Sequence, residues 1–261
     1  MGYGQLIKKL RSITNKYFAG TLTLIIFFTI WQVLCMTKAV PPYMLPTPMK
    51  VARAFFTDIE LLARHSVTTL SEAFLGLGAS IILGLFFAVV MDNVKFVYKM
   101  LYPVMIVSQA IPVIAIAPLL VLWFGYGIFP KVLLIVLVCF FPIVVSLYDA
   151  FKNTDEDRVQ LLVSMGANKW QQFRHIKLPS AMPGFFSALK ISVTYSVVGA
   201  VISEWLGGEM GLGVYMQRVR KSFAFDKMFA VIFLIVFISI VLIGVVKMIE
   251  SRVLKYRNIK K

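Results

Sequence analysis

Residues 154–179, TDEDRVQLLVSMGANKWQQFRHIKLP, form a long polar run between strongly hydrophobic segments. Thr154 with Asp157 three residues later is a capping-box pattern, and Asp155, Glu156 and Asp157 put negative charge at the positive end of a helix dipole. A helix is expected to start there. Leu161, Leu162 and Met165 then share one face at helical spacing, while Arg158, Gln160 and Ser164 point elsewhere. Gly166, followed by Ala167, is suited to end that helix in the left-handed conformation, and Asn168 with Gln171 supplies a second N-cap. Leu178-Pro179 is expected to close the second helix, because proline disfavours helical geometry in the residue before it. The run reads as helix, bend and short helix, with Trp170 and Phe173 offered as apolar knobs on the cytoplasmic face of a membrane protein.

The rest of the chain supplies the membrane. Of 261 residues, 59% are hydrophobic and 15% charged, more apolar and less charged than a soluble domain. The net charge of +15 does not indicate a nucleic-acid partner, since the basic residues flank hydrophobic spans rather than gather on a soluble face. Cys35 and Cys139 fall inside apolar runs, and His65 and His175 belong to opposite sides of the membrane, so neither a disulfide nor a metal or haem site is indicated. The first apolar stretch follows a basic segment with Lys8, Lys9, Arg11 and Lys16 and lacks a cleavage site after it, so it is expected to stay as a span. Without a GxxxxGK[ST] loop the chain is not expected to hydrolyse ATP, and it carries no catalytic or cofactor-binding pattern.

Six segments reach the length a membrane helix needs, near residues 18–36, 67–91, 100–124, 132–148, 185–206 and 228–246. An even count puts both termini on one side. With the termini inside, 17 of the 27 Lys and Arg fall on inner segments and nine on outer ones, which also puts residues 154–179 in the cytoplasm. The connection after the first span holds Pro41-Pro42, Pro46 and Pro48, which enforce extended backbone before a short amphipathic stretch at 51–62. A boundary is therefore expected near Arg64. It separates residues 1–64 (cytoplasmic segment, first span and external linker) from a core at 65–250, with a basic tail at 251–261.

Candidate pathway residues come from two spans. The third, MLYPVMIVSQAIPVIAIAPLLVLWF, contains Pro103, Pro112 and Pro118, and the carbonyls they free cannot be left to lipid. Ser108, Gln109 and Pro112 are thus candidates for lining a pathway, the alternative being helix packing with Gln109 as interhelical glue. The fifth carries Ser192, Thr194, Tyr195, Ser196 and Ser203, of which Tyr195 and Ser196 are pathway candidates. Glu204, at its end, either meets solute or the outer gate or makes a structural ion pair, and Glu72 near the outer face invites the same two readings. Four glycines between Gly207 and Gly213 permit backbone that dips back toward the membrane.

The polar run also resembles the cytoplasmic loop of permease subunits in binding-protein-dependent ABC importers: Glu-Ala-Ala, three residues, Gly, nine residues, Ile, one residue, Leu-Pro. Gly166, Ile176, Leu178 and Pro179 match it, whereas Gln160, Leu161 and Leu162 stand at the Glu-Ala-Ala positions. Residues 203–213, with Glu-Trp and then Gly-Leu-Gly, look like the nitrate, sulfonate and taurine branch, which includes carriers of thiamine-pyrimidine precursors. The resemblance implies an all-α integral membrane protein of six transmembrane helices, a five-helix permease core plus a peripheral N-terminal helix, with cytoplasmic coupling helices between spans four and five. It further implies an ATPase partner that binds ATP and Mg, an extracytoplasmic solute-binding protein, a second copy of the chain, and contact with the ATPase through Leu161, Leu162, Met165, Gly166, Ala167, Trp170 and Phe173. The solute would be a nitrate-, sulfonate- or taurine-like anion or a small heteroaromatic vitamin precursor. The competing class is an ion-coupled secondary transporter, which would want several intramembrane acids or an inverted repeat. Neither is evident in the sequence.

Overall fold

In the computed structural model residues 3–37, 40, 41 and 44–255 are described, with side chains from Phe18 onward except Ala19. The side chains of Lys8, Lys9, Arg11 and Lys16, together with Lys38, Pro42 and residues 256–261, lie outside the described residues. The regular structure described is entirely helical. It consists of α1 (Tyr3–Met36), α2 (Pro48–Thr57), α3 (Ile59–Asn93), α4 (Lys95–Gln109), α5 (Val113–Phe124), α6 (Ile128–Lys152), α7 (Glu156–Ser164), α8 (Lys169–Gln172), α9 (Leu178–Glu204), α10 (Leu212–Lys221) and α11 (Phe225–Val253).

Among the described residues, four helical stretches are long and apolar enough to cross a membrane: Ile59–Asn93, Ile128–Lys152, Lys169–Glu204 and Phe225–Val253. The expected third span is instead two helices. α4 and α5 meet at 106° across Ala110–Pro112 and count as a fifth span if taken together. Of the three prolines there, Pro103 and Pro118 sit inside continuous helices, and only Pro112 marks the break, as the N-cap of α5 in extended conformation. α1 carries a shorter apolar stretch, Gly20–Met36.

The chain packs as two units. One comprises Met1–Ile59 with Arg218–Ile232. In it Thr47 caps α2, accepting from the Lys50 N–H, and Trp31 buries its ring beside Val51, Ala54 and Ala230 while its Nε1 donates to Pro46 O at 3.0 Å. Lys227 pairs with Asp58 at 2.7 Å. The other unit comprises Glu60–Gln217 with Phe233–Lys261 and is organised on α6 and α9. Ile135, Cys139, Val197 and Ala200 are fully buried between them. The Ser192 hydroxyl and the Cys139 thiol each donate to the other's carbonyl, which ties the two helices where no water can reach.

Two boundaries of the polar run differ from expectation. Asp155, not Thr154, caps α7, its carboxylate accepting from the Asp157 N–H; the Thr154 hydroxyl is used up by donating back to Ala150 O at the end of α6. Nor does Leu178-Pro179 end a helix. A π turn, Phe173–Lys177, joins α8 to α9, and the Leu178 N–H bonds Phe173 O across the wider turn. That wider turn seats the proline ring without breaking the ladder. The expected capping box at Asn168 and Gln171 is present in both directions, at 2.9 and 2.8 Å.

Glu72 on α3 and Lys131 on α6 form a buried ion pair of 2.6 Å, and Lys190 on α9 meets Glu250 on α11 at 2.9 Å. Truncating one partner of a buried pair strands the other charge, at a cost of about 3–5 kcal/mol. Lys131→Met is therefore expected to lower the thermal midpoint of the detergent-solubilised chain, and Lys131→Met with Glu72→Gln to recover much of the loss. An unchanged midpoint in the single variant would remove the structural role of the pair.

Candidate functional site

Three regions carry the chemistry. At the polar run, α7 and α8 project from the ends of α6 and α9, and Gly166 turns between them at φ +83°, a conformation open to glycine and strained for other residues. Ala167 follows with its N–H on Leu162 O. Leu161, Met165 and Trp170 are 63%, 74% and 65% exposed, a concentration of large apolar side chains on an otherwise polar segment. Leu162 is half-buried. Trp170 stacks on Phe173 at 5.8 Å, and Phe173 in turn packs edge-on against Phe151 of α6 at 5.6 Å. The knob is thus fixed to the bundle while its outer ring stays free of cover among the described residues.

On the α4–α5 break lies a cavity of about 560 Å³ between α4, α5, α6 and α9. Ser108, Gln109 and Tyr195 line it together with Phe141, Pro142 and Gly199, and none of the lining side chains is charged. Ser108 donates to Met105 O at 2.8 Å and keeps its lone pairs for a guest. Pro112 makes the neighbouring break. Ser196, one residue from Tyr195, is turned away and buried, donating to Val193 O. Phe141 and Pro142 carry no signal in the sequence, because in an apolar span nothing distinguishes a cavity wall from a packed face.

Glu204 is not a cavity residue. Its Oε1 accepts from the Thr69 hydroxyl at 2.7 Å and its Oε2 from the Gly213 N–H at 2.5 Å. Thr69 Oγ1 also accepts from the Leu212 N–H at 2.8 Å, and His65 Nδ1 from the Gly211 N–H at 2.9 Å. Three consecutive N–H groups of the glycine-rich loop are therefore held by α3 and the end of α9. Glu72, the other acid near the outer face, is occupied by Lys131. The contribution of His65 and Thr69 was not legible in sequence, since they lie 146 and 143 residues from their loop partners.

A family model described as "Binding-protein-dependent transport system inner membrane component" matches residues 80–255. The chain belongs to this family. It is 37% identical to the formylaminopyrimidine transport permease protein ThiX of Halalkalibacterium halodurans, over 91% of this chain and 95% of that protein. It is 30% identical to the riboflavin transport system permease protein RibX of Chloroflexus aurantiacus, over 90% and 88%. Permeases named for taurine, aliphatic sulfonates and nitrate match at lower identity. Among solved structures, the MetNI methionine ABC transporter in inward-facing conformations superposes with a TM-score of 0.62 over 77% of this chain and 97% of that one, at 18% identity, a likeness of fold. The chain is a multi-pass membrane permease subunit of an ABC importer, not itself an enzyme, and an ATPase and a binding protein are its partners.

The outer loop generates a test. Gly211 has φ +128°, and a Cβ there would run into the Glu204 carboxylate. Gly211→Ala is expected to free the loop, seen as faster proteolysis between residues 207 and 213 in membranes, at a stability cost of about 1–3 kcal/mol for the forced backbone. Proteolysis at the wild-type rate would show that the hydrogen-bonded clamp does not hold the loop.

Proposed function

We propose that this permease works as a homodimer whose translocation path runs through the cavity at the α4–α5 break, driven by an ATPase that seats on α7, α8 and the Trp170–Phe173 stack. The observation that carries the reading is the exposed knob braced on Phe151, because a partner that pushes on it pushes on α6 directly. In this reading α1, α3, the α4–α5 pair, α6, α9 and α11 are six spans with both termini in the cytoplasm. Residues 1–64 are the peripheral helix and linker, 65–250 the core and 251–261 a basic tail. ATP and Mg are bound by the ATPase, and this chain holds no cofactor. The solute-binding protein docks outside.

A second copy is supported by the break itself. Gln109, Ala110, Ile111 and Pro112 are exposed, and irregular backbone at membrane depth is tolerated only against protein or a water-filled cavity. A facing copy supplies the protein and closes the cavity.

The cavity favours an uncharged, planar heteroaromatic solute over an anion. Its walls are apolar with Phe141 on one side, and the polar groups available are the Gln109 amide, the Tyr195 hydroxyl and Ser108. An amide and a hydroxyl both donate and accept, as the edge of a heteroaromatic ring requires. A sulfonate or nitrate would meet no cationic side chain there. The substrates for which ThiX and RibX are named, formylaminopyrimidine and riboflavin, are of the heteroaromatic kind.

Two experiments test this. The chain expressed with its neighbouring genes is expected to co-purify an ATPase, and Gly166→Pro, which cannot adopt the observed φ, is expected to insert normally yet lose transport. Full transport by a normally inserted Gly166→Pro protein would sink the assigned bend. In proteoliposomes, uptake of labelled formylaminopyrimidine, riboflavin and taurine distinguishes the solute classes. Tyr195→Ala with Gln109→Leu is expected to reduce heteroaromatic uptake by about tenfold or more, the scale of two lost hydrogen bonds to a guest. Uptake of taurine alone would overturn the heteroaromatic assignment.

A further inference from the structure

Asp92 is the penultimate residue of α3, where a carboxylate faces the negative end of its own helix dipole. Local preference argues for a cation at that position. It is held there by Lys177, whose Nζ lies 2.6 Å from Asp92 Oδ2 across 85 residues of sequence, with both groups mostly withdrawn from solvent. Lys177 is the last residue of the π turn. At that end of the turn Lys177 meets α3, while Trp170, just before the turn, is exposed.

The cytoplasmic knob is therefore fastened twice, to α6 through Phe173 and Phe151, and to α3 through an ion pair. α3 runs unbroken from that joint to its outer end, where His65 and Thr69 grip the backbone of the glycine-rich loop. From Asp92 to Thr69 the helix rises about 35 Å. A continuous helix held at both ends passes a displacement at one end to the other.

We propose that the Asp92–Lys177 ion pair is the joint through which movement of the cytoplasmic segment is passed to α3, and along that helix to the outer loop. Both are positioning residues for transport. The inference rests on the reading of α7 and α8 as the ATPase-contacting segment and adds the route by which the contact is felt outside.

The test uses the full complex co-expressed with its ATPase and reads the outer face without needing the solute. Met210, 40% exposed on the loop, is replaced by Cys and labelled with a membrane-impermeant maleimide, against the parent chain as background. Trapping with Mg-ATP and vanadate is expected to change the labelling rate by about fivefold or more, the lower range of site-to-site coupling. Asp92→Asn and Lys177→Met are each expected to keep the bound ATPase and its hydrolysis while the labelling change collapses. The swap Asp92→Lys with Lys177→Asp is expected to restore it, which a merely destabilising effect would not.

A wild-type labelling response in Asp92→Asn and Lys177→Met overturns the inference. So does loss of the ATPase in those variants, since the pair would then hold the docking surface rather than transmit from it. Failure of the wild-type chain to bind an ATPase removes the coupling reading itself, and is distinguished by the absence of co-purification before any label is added.

Discussion

Every buried backbone N–H and C=O that leaves a helical ladder must find another partner, and three places in this chain answer that constraint differently. At the π turn the ladder is widened rather than broken, so Pro179 passes inside a helical stretch from Lys169 to Glu204. At the α4–α5 junction the ladder does break, and the break opens on a cavity rather than on a sealed packing face. At the glycine-rich loop the N–H groups of Gly211, Leu212 and Gly213 are handed to His65, Thr69 and Glu204. Each departure from regular helix falls in one of the three candidate regions.

Charge is distributed by the same logic. Two ion pairs lie within the span helices, Glu72 with Lys131 and Lys190 with Glu250. Glu204 is satisfied by a hydroxyl and an N–H instead of a cation, which turns a costly buried acid into the anchor of a loop. The polar side chains that line the cavity, Ser108, Gln109 and Tyr195, are all neutral.

The two ends of the permease are mechanically unlike. The polar segment at α7 and α8 presents Leu161, Met165 and the Trp170 ring to solvent, on short capped helices that are braced by Phe151 and Asp92. The glycine-rich loop is held instead by hydrogen bonds from three consecutive backbone N–H groups to α3 and the end of α9. One end thus exposes apolar side chains on braced short helices, and the other clamps its loop backbone by hydrogen bonds.

Four of the six hydrophobic segments and the capped polar run between them were legible in the sequence, because apolar span length and the Asn168 and Gln171 caps are local properties. Gly166 was equally legible, since few residues tolerate φ +83°. The start of α7 moved by one residue because Thr154 bonds backward into α6, a choice between two local partners that the pattern alone cannot rank. The continuity of α8 into α9, the sharp break at Pro112 but not at Pro103 or Pro118, and the partners of Glu204, Asp92 and Lys131 were decided only by tertiary structure. The physical reason is common to them: whether a proline breaks a helix, or a buried charge is tolerable, depends on which group from a distant helix arrives to satisfy the groups that the local chain leaves unpaired.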